Sequence, residues 1–135
     1  GASVLDLGAA PGSWTQYISK NYKNIKLASI DLEKFDKIEN AFQITGDFTE
    51  DIYKEKILNF FQDKIDIVVS DMAVNTTGNK NLDSIQTSEL CLDAMRFSKE
   101  VLKKNGIFVS KILLIISSDK CSGYSTLSTG DTTCT

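Results

Sequence analysis

Asp6-Leu7-Gly8-Ala9-Ala10-Pro11-Gly12-Ser13-Trp14 is the stretch on which the reading of this chain turns. It follows a short apolar, β-prone run, Ser3-Val4-Leu5, and sets a glycine-bounded turn between that run and a segment of helical periodicity. Trp14, Tyr17, Ile18 and Tyr22 recur at helical spacing after Ser13, which suits an N-cap, and residues 21–24 end the helix. A strand that feeds a helix through such a turn is the opening of a strand–helix–strand unit.

The same alternation continues downstream. Residues 25–30 read as a second strand ending at Asp31, and residues 41–44 as a short third strand before Gly46-Asp47-Phe48. Residues 52–62 carry Ile57, Leu58 and Phe61 on one side, as a helix would. Asp66-Ile67-Val68-Val69-Ser70-Asp71 is a β-branched run of the kind found in parallel strands buried on both faces. A polar loop over residues 72–81 follows it. Leu90, Ala94, Phe97, Val101 and Leu102 then mark a long amphipathic helix, with Asn105-Gly106 as its left-handed C-cap, and residues 107–112 give a fifth strand. The class expected is α/β: a Rossmann-like, doubly wound, mostly parallel sheet with right-handed crossovers. Eight of the fifteen residues 121–135 are Ser or Thr without apolar periodicity. Residues 1–116 are therefore expected to form one domain and residues 117–135 a disordered tail.

The 135 residues suit one small domain, and 41% hydrophobic with 24% charged residues is ordinary for a globular protein. The most apolar run, residues 107–116, is interrupted by Ser110 and Lys111 and is shorter than the roughly 20 residues of a membrane span. No secretory signal is visible. With no His, and Cys91, Cys121 and Cys134 widely spaced, there is no zinc-ligand pattern and no disulfide framework, so a reducing cytoplasm without a metal is expected. A net charge of −3 provides no general attraction for polyanions, and any nucleic acid would need a local basic patch.

Gly8 and Gly12 allow the backbone to approach a nucleoside where strand one meets helix one. The turn is not a dinucleotide fingerprint, because the central glycine is absent and Pro11 removes an N–H that could hold a pyrophosphate. An NAD-dependent oxidoreductase is thereby disfavoured, whereas S-adenosylmethionine (SAM), which has no phosphate, is compatible. A lone pair of glycines at this spacing is most often an ordinary turn. Here Asp31, Asp47 and Asp71 each follow a strand, where ligands of open α/β sheets bind. Asp31, 23 residues after Gly8, suits an acceptor for ribose hydroxyls. Any one of the three acids alone reads as a solvated turn or helix cap, and together they favour a site.

Taken together, these residues resemble the FtsJ/RrmJ-type ribosomal RNA 2′-O-methyltransferases, class I SAM-dependent enzymes, over about residues 1–112. Besides the opening turn, extended through Thr15-Gln16-Tyr17, the resemblance rests on Gly46-Asp47-Phe48, on Ser70-Asp71-Met72-Ala73-Val74-Asn75 with Gly78 after it, and on Gly106-Ile107-Phe108-Val109-Ser110-Lys111. It implies methylation of a ribose 2′-hydroxyl of large-subunit (23S) ribosomal RNA in the assembled subunit, by a cytoplasmic monomer. By position, Gly12, Trp14, Asp31, Asp47 and Asp71 fall on the family's SAM-binding residues, beside Gly8. Asp71 and Lys111 fall on the second and third members of its catalytic Lys-Asp-Lys-Glu set. A lysine there could orient the 2′-hydroxyl, or take its proton if burial or another cation lowered the lysine pKa. Without the resemblance, Lys111 reads equally well as a snorkelling lysine on a strand edge.

The chain also departs from the family. The first catalytic lysine belongs upstream of strand one and the glutamate beyond strand five, where a Gln-Gly element, a helix and two strands are usual. Here Ile112-Leu113-Leu114-Ile115-Ile116-Ser117-Ser118 leads into the Ser/Thr-rich segment. Two readings compete, a divergent but complete protein and a fragment cut short at both ends with a shifted reading frame near its end, and the fragment is the expectation. Its sheet would be incomplete after strand five, which leaves an apolar edge. The alternative function is then a catalytically inactive, truncated SAM-binding remnant.

Overall fold

Residues 1–71, 80–111, 124–126 and 131–134 are described by the computed structural model. Around the central strand β1 (Ala2–Leu7) the chain first builds outward, through α1 (Ser13–Asn21) to β2 (Ile25–Asp31) and then β3 (Ala41–Thr45). After α2 (Asp51–Phe61) it returns to place β4 (Ile65–Ser70) on the other side of β1, and α3 (Lys80–Val101) leads to β5 (Leu102–Lys111). These five strands are parallel in the order β3-β2-β1-β4-β5. Strand order reverses between β1 and β4, the place where the loops at the carboxyl ends part and leave a crevice.

Register assigns the faces. Leu5 pairs with Ala28 and Val68, Leu7 with Ile30, and Val68 with Phe108. This face packs on Ile57 and Phe61 of α2 and on Ala94, Phe97 and Val101 of α3 to form the main core. On the opposite face Val4, Asp6, Leu27 and Ser29 are buried, as are Thr15 and Ser19 of α1. Because α1 packs on β2, it leaves Ile67 and Val69 only half-buried and Ile107 49% exposed. Burial of β4 on both faces, expected from its composition, is therefore complete on one face only.

Two helix ends differ from the sequence reading. The N-cap of α1 is Gly12, in the left-handed region at φ 106, and Ser13 is the first helical residue. The helix buries Thr15 and Ser19 and leaves Tyr17 61% exposed. The reason is that it lies over the polar pair Asp6 and Ser29, which accepts small hydroxyl side chains better than aromatic rings. Asn105-Gly106 is not a left-handed C-cap: among the described residues positive φ occurs at Gly8, Gly12, Asn40 and Gln62. Instead α3 passes directly into β5, where Ile65 pairs with Leu102 and Ile67 with Ile107, so residues 103–106 bulge out of the ladder. Gly106 is needed for space, since a Cβ there would lie 2.8 Å from the Leu102 side chain.

Among the described residues the parallel part of the sheet ends at β5. Within the Ser/Thr-rich segment, however, β6 (Tyr124–Thr126) and β7 (Asp131–Cys134) form strands where disorder was expected. β7 pairs antiparallel with β5, Phe108 opposite Cys134 and Lys111 opposite Asp131, and β6 pairs with β7. The physical reason is the free edge of β5, whose unpaired N–H and C=O groups template a further strand. Thr132 and Thr133 are β-branched and suit it. The boundary at residue 116 and residues 72–79 of the loop expected over residues 72–81 lie outside the described residues, while residues 80 and 81 already belong to α3.

Candidate cofactor-binding cleft

A cleft of about 580 Å³ opens over the carboxyl ends of β1 to β4. Gly8 and Ala10 contribute backbone at its base, and Asp31, Leu32 and Glu33 follow from the end of β2. Residues 46–49 close the side beyond β3, Asp71 stands at the end of β4, and Leu90 and Asp93 reach in from α3.

The turn is held by backbone hydrogen bonds to its neighbour strand. The Gly8 and Ala9 N–H groups donate to the Ile30 carbonyl at 2.9 and 3.2 Å. The Ala10 N–H donates to Asp31 Oδ2 at 2.9 Å, while Asp31 Oδ1 accepts the Glu33 N–H at 2.8 Å. Both oxygens of Asp31 thus shape the turn, and each retains a lone pair for a ligand hydroxyl. Asp47 Oδ1 accepts the Thr49 N–H and hydroxyl at 2.9 and 2.7 Å, which fixes the loop after β3. The Asp71 N–H reaches the Leu7 carbonyl at 3.4 Å.

Five carboxylates line the cleft, from Asp31, Glu33, Asp47, Asp71 and Asp93, with no Lys or Arg among the described lining residues. Arg96 approaches Asp93 at 3.4 Å, but its side chain is 71% exposed and screening weakens the pair. Below the cleft Asp6 is 1% exposed. Its Oδ2 accepts the Thr15 hydroxyl at 2.6 Å, and its Oδ1 has no partner. Burial pushes the Asp6 carboxyl up to about 6, the Thr15 hydrogen bond opposes this, and repulsion from Asp71 and then Asp31 adds to the rise.

Of the residues singled out from sequence, Gly8, Asp31, Asp47 and Asp71 meet in this cleft. Gly12, Trp14 and Lys111 are not among its walls. Gly12 is buried against Phe35 and Ile38, whose side chains a Cβ would approach to 3.0 Å. Trp14 is half-buried in the first turn of α1, and Lys111 is exposed at the end of β5. Ser70 and Ser110 are register partners, so Asp71 and Lys111, which follow them, leave adjacent strands at the same edge. No ion pair joins the two among the described residues.

Sequence reasoning missed Glu33, Asp93 and the titrating role of Asp6. Glu33 could have been found from its spacing of two after Asp31. Asp93 could not, because only the packing of α3 brings it over the strand ends. Among the described residues no group of His, Cys, Asp or Glu could hold a metal ion, and no helix is long and apolar enough to cross a membrane.

Comparison with known proteins agrees with this architecture. The family described as FtsJ-like methyltransferase matches residues 1–122. Ribosomal RNA large subunit methyltransferase E of Pelagibacter ubique is 60% identical over 114 residues, covering 84% of this chain and 56% of that protein. Its namesake in Rickettsia akari is 44% identical over 115 residues, covering 81% of this chain and 51% of that protein. The chain thus spans about half the length of the curated relatives it matches. Among solved structures, one described as a ribosomal RNA methyltransferase from Plasmodium falciparum aligns over 99% of this chain and 85% of that one. The TM-score is 0.83 at 26% identity.

Proposed function

The chain belongs to the FtsJ-like methyltransferase family, and from that premise we propose that it binds SAM in the cleft and methylates a ribose 2′-hydroxyl of large-subunit ribosomal RNA. The observation that carries the cofactor reading is the cleft itself: five carboxylates and, among the described lining residues, no cation over a glycine turn at the reversal of strand order. A pyrophosphate would be repelled there. A nucleoside bearing a sulfonium fits, because the acids attract its charge and Asp31 retains acceptor capacity for ribose hydroxyls.

When bound, SAM supplies a methyl group already activated by the positive sulfur. The protein's work is then alignment and proton handling. Gly8 and Ala10 let the backbone approach the ligand, and Gly12 and Trp14 support the turn and the start of α1 from behind. Asp47 and Asp71 bound the far side of the cleft. Lys111, at the strand edge it shares with Asp71, orients the 2′-hydroxyl in line by donating to its oxygen, and the hydroxyl proton passes to solvent as the oxygen–methyl bond forms and the sulfur–methyl bond breaks. Residues 1–116 are read as the cofactor-binding domain. The same reading makes the protein a metal-free cytoplasmic monomer whose partner is the large ribosomal subunit.

Calorimetric titration with SAM tests the placement. Asp31→Ala and Asp47→Ala are each expected to weaken binding by about tenfold or more, the loss of one or two charge-assisted hydrogen bonds. Unchanged affinity in both variants would show the site to be elsewhere. Transfer of labelled methyl to undermethylated large subunits, lowered by Lys111→Ala without loss of SAM affinity, tests the catalytic assignment.

A further inference from the structure

Among the described residues Asp6 is the one buried acid, and the proposed chemistry has no use for it. It faces α1 from near the end of β1, and its register neighbour on β2 is Ser29. Asp6 Oδ1 and Ser29 Oγ are both buried without a hydrogen-bond partner. Such groups are rare in folded proteins, because burial without a partner costs free energy. The charged groups facing Asp6 are Asp31 from the end of β2 and Asp71 from the end of β4, while α1 contributes only the neutral Thr15 hydroxyl. Both neighbouring acids also line the cleft. A charge that enters the cleft therefore lies beside the same two carboxylates that repel Asp6.

We propose that Asp6 is the residue through which the cleft selects a cationic nucleoside, the sulfonium donor, over the neutral thioether left after its methyl is transferred. The inference rests on the reading of the cleft as a SAM site. With the cleft empty, burial and the two acids hold the Asp6 carboxyl up at about 6, so it keeps its proton in mildly acidic solution. A positive charge in the cleft opposes the repulsion that Asp71 and Asp31 exert on Asp6 and so favours its ionised form, and the proton leaves to solvent while the carboxylate retains the Thr15 hydrogen bond. A ligand lacking that charge leaves the proton in place. Linkage is reciprocal: if the cation favours ionised Asp6, ionised Asp6 favours the cation by the same factor. Donor affinity consequently rises with pH through about 6 and levels off above it, whereas thioether affinity is nearly flat. Once the methyl has been transferred the preference disappears, which favours exchange of product for fresh donor.

The test is calorimetry of the whole chain with SAM and with S-adenosylhomocysteine, near pH 6, in two buffers of different ionisation enthalpy. Net proton release is expected with SAM and much less with S-adenosylhomocysteine. SAM affinity is expected to rise about fivefold between pH 5 and 7.5, as one unit of pKa coupling below a starting value of about 6 gives. Asp6→Asn should abolish both effects. Thr15→Val, which removes the hydrogen bond that holds the pKa down, should move the midpoint of the profile to higher pH and covers the case in which Asp6→Asn does not fold. SAM binding without proton release, equal release with both ligands, or undiminished release from folded Asp6→Asn each overturns the inference while leaving the SAM site intact. No SAM binding at any pH overturns the cleft reading, and this inference with it.

Discussion

Asp6 also has a consequence that needs no ligand. Its carboxyl sits at about 6 in the folded protein against an ordinary 3.8, so between those values the native state holds a proton that the unfolded chain has lost. The stability that Asp6 contributes is then fully present below about pH 4 and is lost, by up to about 3 kcal/mol, as pH rises through 6. Asp6→Asn, which cannot ionise, is expected to be more stable than the parent by about 1–3 kcal/mol at neutral pH and to lose that advantage near pH 4. Urea unfolding at the two pH values checks this. Gly12 combines φ 106 with side chains 3.0 Å from where a Cβ would stand. Gly12→Ala is expected to cost about 1–3 kcal/mol in the same assay, because backbone strain and crowding add. At this scale the sequence was only partly legible. Asp31 was read as a ligand acceptor, but its bond to the Ala10 N–H, 21 residues away, forms only when the turn folds back over β2.

Helix α1 shows why periodicity identifies an element more reliably than it identifies the buried face. Trp14, Tyr17 and Ile18 suggest an apolar stripe, yet the buried residues are Thr15 and Ser19. The partner surface decides the matter, and it contains Asp6 and Ser29. Tyr17→Ala is therefore expected to change stability by less than about 0.5 kcal/mol. Phe97 of α3 is 7% exposed and meets Phe48 edge-on at 5.5 Å. Phe97→Ala should cost about 3–5 kcal/mol, and denaturant melts of the two variants check the contrast. Phe48 also lines the cleft, so loss of Phe97 should loosen the loop after β3 and weaken SAM binding as well. The turn from α3 into β5 was misread for a related reason. Asn-Gly looks like a helix cap locally, but the pairing of β5 with β4 absorbs it as a bulge.

Over the whole molecule, the acidic cleft and the net charge of −3 act together. Raising ionic strength to about 0.5 M should weaken SAM binding severalfold and leave S-adenosylhomocysteine nearly unaffected, because screening acts on the sulfonium charge. Calorimetry at two salt concentrations checks it. From the sequence alone came the alternation of strands and helices, the glycine turn and the acids at strand ends, and with them the fold class and the end of the sheet that carries the cleft. These are local properties, set by the period of apolar residues and by backbone chemistry within a few residues. Only the tertiary structure decided that Glu33 and Asp93 join the cleft walls, that Gly12, Trp14 and Lys111 stand outside them, and that Asp6 lies buried beneath. Those outcomes depend on how α1 and α3 seat on the sheet, and on fields summed over carboxylates that lie far apart in the chain and meet only when β1, β2 and β4 are side by side.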